Sequence, residues 1–483
     1  MKALIWSATA SALLALEVAA AGAADLRNDK AKAGVDEIFA DLTAPGSPGC
    51  ALAVAQDGKI LYEKGYGLAS IELNVPITPE TVFDIGSTSK QFTAASILLL
   101  EKQGKLKVDD DVRKYIPELP DYGKKITILN LLNHTSGLRD YLELMALGGI
   151  DIDGVTDDDD ALNVIVHQKA LNFDPGSKWQ YSNTGFFLLS LIVKRVSGKT
   201  LAAFAADNIF GPLAMKTTEY RADHTRLVPN RALAYKERGR DYALDVSYFE
   251  QTGDGAVHTS VEDLLKWDEN FYSGQVGGKA FLRELQENGR LNDGRKLDYA
   301  KGLFVRRYRG LPTVDHGGAW GGYRAQLLRF PEQHFSVACL CNVGNANPEK
   351  RAYRVADAYL GSQMQGKEEG SPERKEAKKA LVSPTAEQLR GLDGDYYSEE
   401  LQVTYTLEVQ GTTLKLKEIA GSPFLKKGVF SSDVFTATGD DTFLLRDESL
   451  SIHFQRSPNG GVEGFALGGG RVQGILFSKT AKH

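Results

Sequence analysis

The order of element types along the chain constrains the fold more than any single residue does. Gly49 to Ala55 and Lys59 to Tyr66 read as two strands around Asp57-Gly58, a dipeptide that favours the tight turn of a hairpin. Arg324 to Phe330 and His334 to Cys341 read as a second strand pair joined at Pro331-Glu332. Between them, roughly Leu98 to Asn288, the apolar period is helical. The clearest helices there are Thr127 to Asn133, Asp159 to Ala170, Phe186 to Val196, Thr200 to Asn208 and Val261 to Tyr272. Ser260 and Asp263 suit an N-terminal cap with an acidic first turn. Val35, Ile38, Phe39 and Leu42 share one face of a short amphipathic helix. A strand-rich start, a helical middle and a strand-rich return suit one sheet built from both ends of a domain, with a helical insertion between.

Ser87-Thr88-Ser89-Lys90 opens the apolar run Gln91 to Lys102, which contains no Gly or Pro and stops before Gly104. Ser87 therefore sits at or near a helix N-terminus, and Lys90, three residues on, shares its face. A serine hydroxyl is a poor nucleophile until a neighbour takes its proton. A lysine can do this once burial or a nearby positive charge disfavours its ammonium. The helix N-terminus supplies partial positive charge, which also favours an oxyanion beside Ser87.

Tyr181 and Asn183 lie in the polar stretch Asp174 to Asn183 and flank one residue, so an extended backbone there points both into one cavity. Tyr181 offers a phenol that can shuttle a proton, and Asn183 a donor and an acceptor. Asp315-His316-Gly317-Gly318-Ala319-Trp320-Gly321-Gly322-Tyr323 precedes the second strand pair. Read plainly it is a glycine-rich hairpin turn. Read functionally, its glycines allow close backbone approach, and the Ala319 N–H completes an oxyanion hole with that of Ser87.

Ser-x-x-Lys, then Tyr-x-Asn, then His-Gly-Gly in this order resembles the penicillin-recognising serine hydrolases. The resemblance is to the branch of class C β-lactamases, D-alanyl-D-alanine carboxypeptidases, D-aminopeptidases and related esterases. Leu132-Asn133-His134-Thr135-Ser136-Gly137-Leu138 and Gly253-Asp254-Gly255-Ala256-Val257-His258-Thr259-Ser260 match further stretches typical of that branch, and the likeness covers roughly residues 30 to 360. It implies a β-lactamase-like fold, an α/β domain plus an all-α domain with an antiparallel sheet flanked by helices and the site in the cleft. It also implies acyl transfer through Ser87, with Lys90 and Tyr181 sharing the proton work. Asn183 would hold Lys90 or the substrate, and His316, Gly318 and Ala319 would line the oxyanion and substrate side. No metal or organic cofactor is implied; the partner is a small-molecule or peptide substrate.

His316 departs from the Lys-Thr-Gly that β-lactamases of this branch carry. A histidine mostly neutral at pH 7 holds a carboxylate less firmly, and Gly317 removes a hydroxyl donor. The expectation is a peptidase or amidase acting on D-amino-acid-containing peptides, like a D-aminopeptidase or DD-carboxypeptidase. The alternatives are a broad-range carboxylesterase, a β-lactamase, or a non-catalytic cell-wall or ligand-binding protein of the same fold. Trp320, Tyr323 and Tyr141 serve equally well as a substrate wall or as core.

The remaining features bound the setting. Lys2, an apolar centre at Ala8 to Ala15 and the small residues Ala21-Gly22-Ala23 read as a secretory signal over residues 1–23, too short to span a bilayer. This places the mature chain in the periplasm or outside the cell. A net charge of −6 excludes a broad nucleic-acid footprint. Three cysteines, Cys50, Cys339 and Cys341, leave at least one thiol free within one chain. In the fold implied by the resemblance, the Cys50 strand lies beside the strand of the other two, so a bridge to either is conceivable. Burial as small apolar residues is the favoured reading. Asp151-Ile152-Asp153-Gly154 hints at a calcium loop, but Leu162 stands where the bidentate Glu belongs, and a solvated helix start fits better. Residues 24–360 form the expected hydrolase domain and 361–382 a polar linker. Residues 383–483 carry short strands with Gly, Asp and Asn turns, an all-β barrel or sandwich such as the lipocalin-like barrels appended to some family members. A packing module, a lid and a ligand cup are all open roles for it, and the oligomeric state is open too.

Overall fold

A computed structural model describes residues 32–366, 382–421, 434–439, 441–445 and 450–480. The expected signal segment, and residues 367–381 of the expected linker, lie outside them.

The two ends of the first domain do build one sheet. Its strands are β1 (Cys50–Gln56), β2 (Lys59–Tyr66), β3 (Tyr299–Ala300), β4 (Leu303–Tyr308), β5 (Leu311–Trp320), β6 (Tyr323–Phe330) and β7 (Phe335–Cys341). They lie in the order β3-β4-β5-β6-β7-β1-β2, all antiparallel, so the chain's return docks against its first strand. β1 and β7 are buried on both faces, because helices cover both sides of the sheet. On one side Leu52, Val54, Val337 and Cys339 pack with Val35 and Phe39, and with Ala352 and Val355 of the helix Pro348–Leu360. On the other, Ala51, Ala53, Ala338 and Leu340 join the large core of the helical region, which contains Phe92, Phe186 and Trp267. The predicted helix from Val35 is residues 32–38 followed by a 3-10 turn, Ala40–Leu42.

The antiparallel register sets Cys50 directly opposite Cys341, and the two form a disulfide spanning 291 positions. This corrects the expectation of buried thiols: the pairing depends on a ladder between distant chain segments. Cys339 faces Leu52 in the same ladder and stays a buried thiol, its Sγ 3.9 Å from that of Cys341.

The helical middle contains α1 (Lys90–Lys102), α2 (Tyr141–Leu147), α3 (Asn183–Ser197) and α4 (Val261–Ser273), with Ser260 capping α4 as its sequence requires. It also holds short strands that the helical periodicity hides. Val257–Thr259 pairs with Phe83–Asp84 just ahead of Ser87, and Tyr235–Arg238 forms a hairpin with Asp241–Leu244.

Strands β8 (Gly394–Ser398), β9 (Val403–Gln410), β10 (Thr413–Ala420), β11 (Val434–Gly439), β12 (Thr442–Leu445), β13 (Ser451–Arg456), β14 (Val462–Gly469) and β15 (Val472–Lys479) close into a barrel. Closure comes from pairing of β8 with β15. The rings of Tyr396, Phe454, Phe465, Phe477 and Tyr405 pack against one another at centroid separations from 4.5 to 6.0 Å. These rings belong to a buried apolar cluster among the described residues.

The barrel docks onto the helical middle through a buried ion pair. Arg139 donates to Glu400 at 2.5 Å, with both side chains at most 5% exposed, and also to the carbonyls of Gln473 and Gly474 in β15. Tyr405 donates to the carbonyl of Leu147 at 2.6 Å. This anchoring fixes the β14–β15 hairpin over the cleft.

Candidate active site

Ser87 sits in a 3-10 turn, Gly86–Ser89, that runs directly into α1. Neighbours on three sides hold this turn. Thr88 donates to the carbonyl of His316 in β5 at 3.1 Å, Ser89 accepts from the N–H of Val257 at 3.1 Å, and the Gln91 side chain caps the Thr88 carbonyl while receiving the Trp267 indole N–H. Two glycines make the approach of β5 possible. Gly86 has φ +46°, and a Cβ there would stand 2.6 Å from the Ala319 nitrogen; a Cβ on Gly318 would stand 1.8 Å from the Ile85 carbonyl oxygen. His316-Gly317-Gly318-Ala319 is therefore strand and not the hairpin turn of the plainer reading; the turn falls at Gly321-Gly322.

Lys90 is the first residue of α1 and is fully buried. Its Nζ donates to Ser87 Oγ at 2.9 Å, to Asn183 Oδ1 at 3.0 Å and to the Asp254 carbonyl at 2.6 Å. Burial lowers its pKa to about 7; the Asp254 and Asp140 carboxylates oppose this, and the Arg471 guanidinium adds to it. Ser182 is extended (φ −143°, ψ 125°), so Tyr181 and Asn183 both face the cleft as their spacing predicted. The Tyr181 hydroxyl is buried without an aligned hydrogen-bond partner among the described residues. Burial pushes its pKa up, while the nearby Ser87 hydroxyl favours the phenolate.

Two buried carboxylates, Asp140 and Asp254, lie behind these groups. Asp140 caps α2 and accepts the Asn183 N–H at 2.7 Å. Asp254 accepts from Tyr141 at 3.0 Å, has no partner for its other carboxylate oxygen among the described residues, and has its pKa raised by burial. Tyr141 is thereby a core residue, as is Tyr323, which donates to the Ala232 carbonyl; Trp320 lines the cleft against Phe249.

His316 is spent in a neutral relay. The Ser182 N–H donates to His134 Nδ1 at 3.2 Å, so His134 carries its proton on Nε2, 3.1 Å from the Tyr299 hydroxyl. Tyr299 can then donate to His316 Nε2 at 3.3 Å, and His316 Nδ1–H to the Gly317 carbonyl at 2.6 Å. Burial depresses the His316 pKa to about 3 and that of His134 well below the ordinary value. His134 also packs on the Tyr181 ring at 4.2 Å.

The cleft measures about 950 Å³ and is lined by Ser87, Tyr181, Asn183, His316 and Ala319, together with Arg471 from the barrel. Sequence reasoning marked the stretches containing His134 and Asp254 but not those residues. Asp140, Tyr299 and Arg471 carried no signal of their own. Away from the cleft, Asp223, His224 and Glu250 bring metal-ligating atoms within 4.8 Å of one another, with His224 Nδ1 engaged by Glu250 at 2.6 Å.

Comparison with known proteins places the chain in a family. Residues 35–360 match the family described as Beta-lactamase. Penicillin-binding protein 4* of Bacillus subtilis is 30% identical over 83% of this chain and 88% of its own length. A D-aminopeptidase of Gluconobacter oxydans is 30% identical over 80% of this chain and 69% of its own. The octameric penicillin-binding protein homologue from Pyrococcus abyssi shares the fold at a TM-score of 0.61 and 22% identity, covering 93% of this chain and 99% of that one. The D-amino acid amidase of Ochrobactrum anthropi SV3 does so at 0.59 and 21%, over 69% of this chain and 99% of that one. The chain belongs to the Beta-lactamase family.

Proposed function

We propose that this protein is a serine peptidase or amidase that cleaves D-amino-acid-containing peptides through an acyl-enzyme on Ser87. The observation that carries the reading is the buried Lys90 amine, held between Ser87 and Asn183 with its pKa near neutrality. An amine so placed can take the Ser87 proton at neutral pH. Ser87 Oγ attacks the scissile carbonyl, and the oxyanion is received by the N–H groups of Ser87 and Ala319. The proton passes through the Lys90–Tyr181 pair to the leaving nitrogen as the C–N bond breaks. Water then attacks the ester, returning the proton to Ser87 and releasing the acid. The names of the relatives, D-aminopeptidase and D-amino acid amidase, support the D-amino-acid choice. The N-terminal signal pattern supports export to the periplasm or beyond.

The test is release of ammonia or amino acid from D- and L-amino-acid amides and D-alanyl peptides, with wild type against Ser87→Ala. The reading expects D-selective turnover that Ser87→Ala abolishes. Hydrolysis of simple esters without any amide would move the assignment to an esterase.

A further inference from the structure

We propose that Arg471 is a specificity-determining residue that receives a carboxylate on the leaving-group side of the substrate. The enzyme then favours peptides ending in a free D-amino acid and disfavours an ammonium at that place. This inference rests on the acyl-transfer reading above.

Arg471 comes from the turn between β14 and β15, so the barrel contributes a charge to a site built otherwise from the first domain. The turn is held rigidly. Gln180 donates to the Gly470 carbonyl at 3.2 Å, Asn172 to the Arg471 carbonyl at 2.7 Å, and the Arg471 N–H donates to Glu143 at 2.7 Å. The guanidinium itself is loosely engaged. It makes one long hydrogen bond, to Asp140 Oδ2 at 3.4 Å, and stands 3.8 Å from Glu143, and the side chain is 40% exposed. Asp140 is already occupied by the N–H groups of Leu142, Glu143 and Asn183. A guanidinium fork without a bidentate partner matches a carboxylate.

Its position selects the side of the substrate. The guanidinium lies over the Tyr181 ring, 5.1 Å from the centroid. If Tyr181 helps protonate the leaving nitrogen, the groups attached to that nitrogen come nearest Arg471. In an amino-acid leaving group, the carboxylate carbon is two bonds from the nitrogen. His316, neutral and hydrogen-bonded on both ring nitrogens, supplies no competing charge.

The experiment uses two thiolesters of N-benzoyl-D-alanine, one with a thioglycolate leaving group and one with its carboxyl group methylated. Wild type is expected to favour the free carboxylate in kcat/KM by roughly 10- to 100-fold, the range for a charge-assisted hydrogen bond. Arg471→Ala should bring that ratio close to one, Arg471→Lys should keep part of it, and Arg471→Glu should reverse it. A wild-type ratio near one would overturn the inference. So would equal losses on both thiolesters in Arg471→Ala, since Arg471 would then act only through Lys90 and Tyr181. Failure of the underlying reading looks different: neither thiolester would acylate Ser87, as read by intact mass, and this inference would fall with it.

Discussion

The Lys90 amine lies 2.9 Å from the Ser87 hydroxyl and is wholly shut off from solvent. Burial destabilises the ammonium, so the same placement that brings the base to its nucleophile also readies it to accept a proton. The neutral amine dominates above its lowered pKa of about 7. Turnover of a neutral amide should therefore rise with pH through about 7, and a kcat/KM profile checks it. An acid limb absent down to pH 5 would contradict the assignment.

The same shift has a consequence for stability. The folded state resists protonation of Lys90, whereas the unfolded chain binds that proton up to the ordinary lysine pKa of 10.5. The cost is fully present below about pH 7 and disappears as pH rises toward 10.5. Lys90→Met should abolish turnover yet unfold at no lower denaturant concentration than wild type at pH 6. A markedly less stable variant at pH 6 would mean that the hydrogen bonds to Lys90 outweigh its desolvation.

Tyr181 is packed by the His134 ring and crossed by Arg471, but its hydroxyl is buried without an aligned partner among the described residues. Tyr181→Phe should keep the fold, with stability changed by less than about 1 kcal/mol. It should lower kcat by about 10²- to 10⁴-fold, the range for a positioned proton-transfer group. Denaturant titration and steady-state kinetics measure the two effects. Full activity would remove Tyr181 from the proton path.

The relay from Ser182 through His134 and Tyr299 to His316 predicts two imidazoles that stay neutral. His316, with its pKa near 3, should show no imidazolium signal in an NMR titration from pH 8 down to pH 5. Titration between pH 6 and 7 would show that it is open to water and free to hold an anion.

Arg139 and Glu400 form the buried pair between barrel and cleft wall. Glu400→Ala leaves the guanidinium buried without its carboxylate, which costs about 3–5 kcal/mol. Thermal and denaturant unfolding of the full chain should register that loss. A loss below about 1 kcal/mol would mean that water or the Gln473 carbonyl replaces the carboxylate at little cost.

What could be read in the sequence was what is local. Ser87 and Lys90 meet because one turn of backbone joins them, and Tyr181 and Asn183 because one extended residue separates them. His316 in mid-strand was harder, since Gly317 and Gly318 erase the alternation that marks a strand. Cys50 and Cys341 pair through a ladder between distant segments, and no spacing rule distinguishes Cys341 from Cys339 without the register. Arg471 was invisible for a related reason. A Gly-Gly-Arg turn reads as an ordinary hairpin, and only the docking of the barrel by Arg139 and Tyr405 brings it over Tyr181.

The most direct measurement is intact-protein mass spectrometry after incubation with a fluorophosphonate or a penicillin, on wild type and Ser87→Ala. An acyl-enzyme mechanism predicts a single covalent adduct on wild type, mapped to Ser87, and none on the variant. No adduct with either reagent on folded wild type, or an equal adduct on Ser87→Ala, would contradict it.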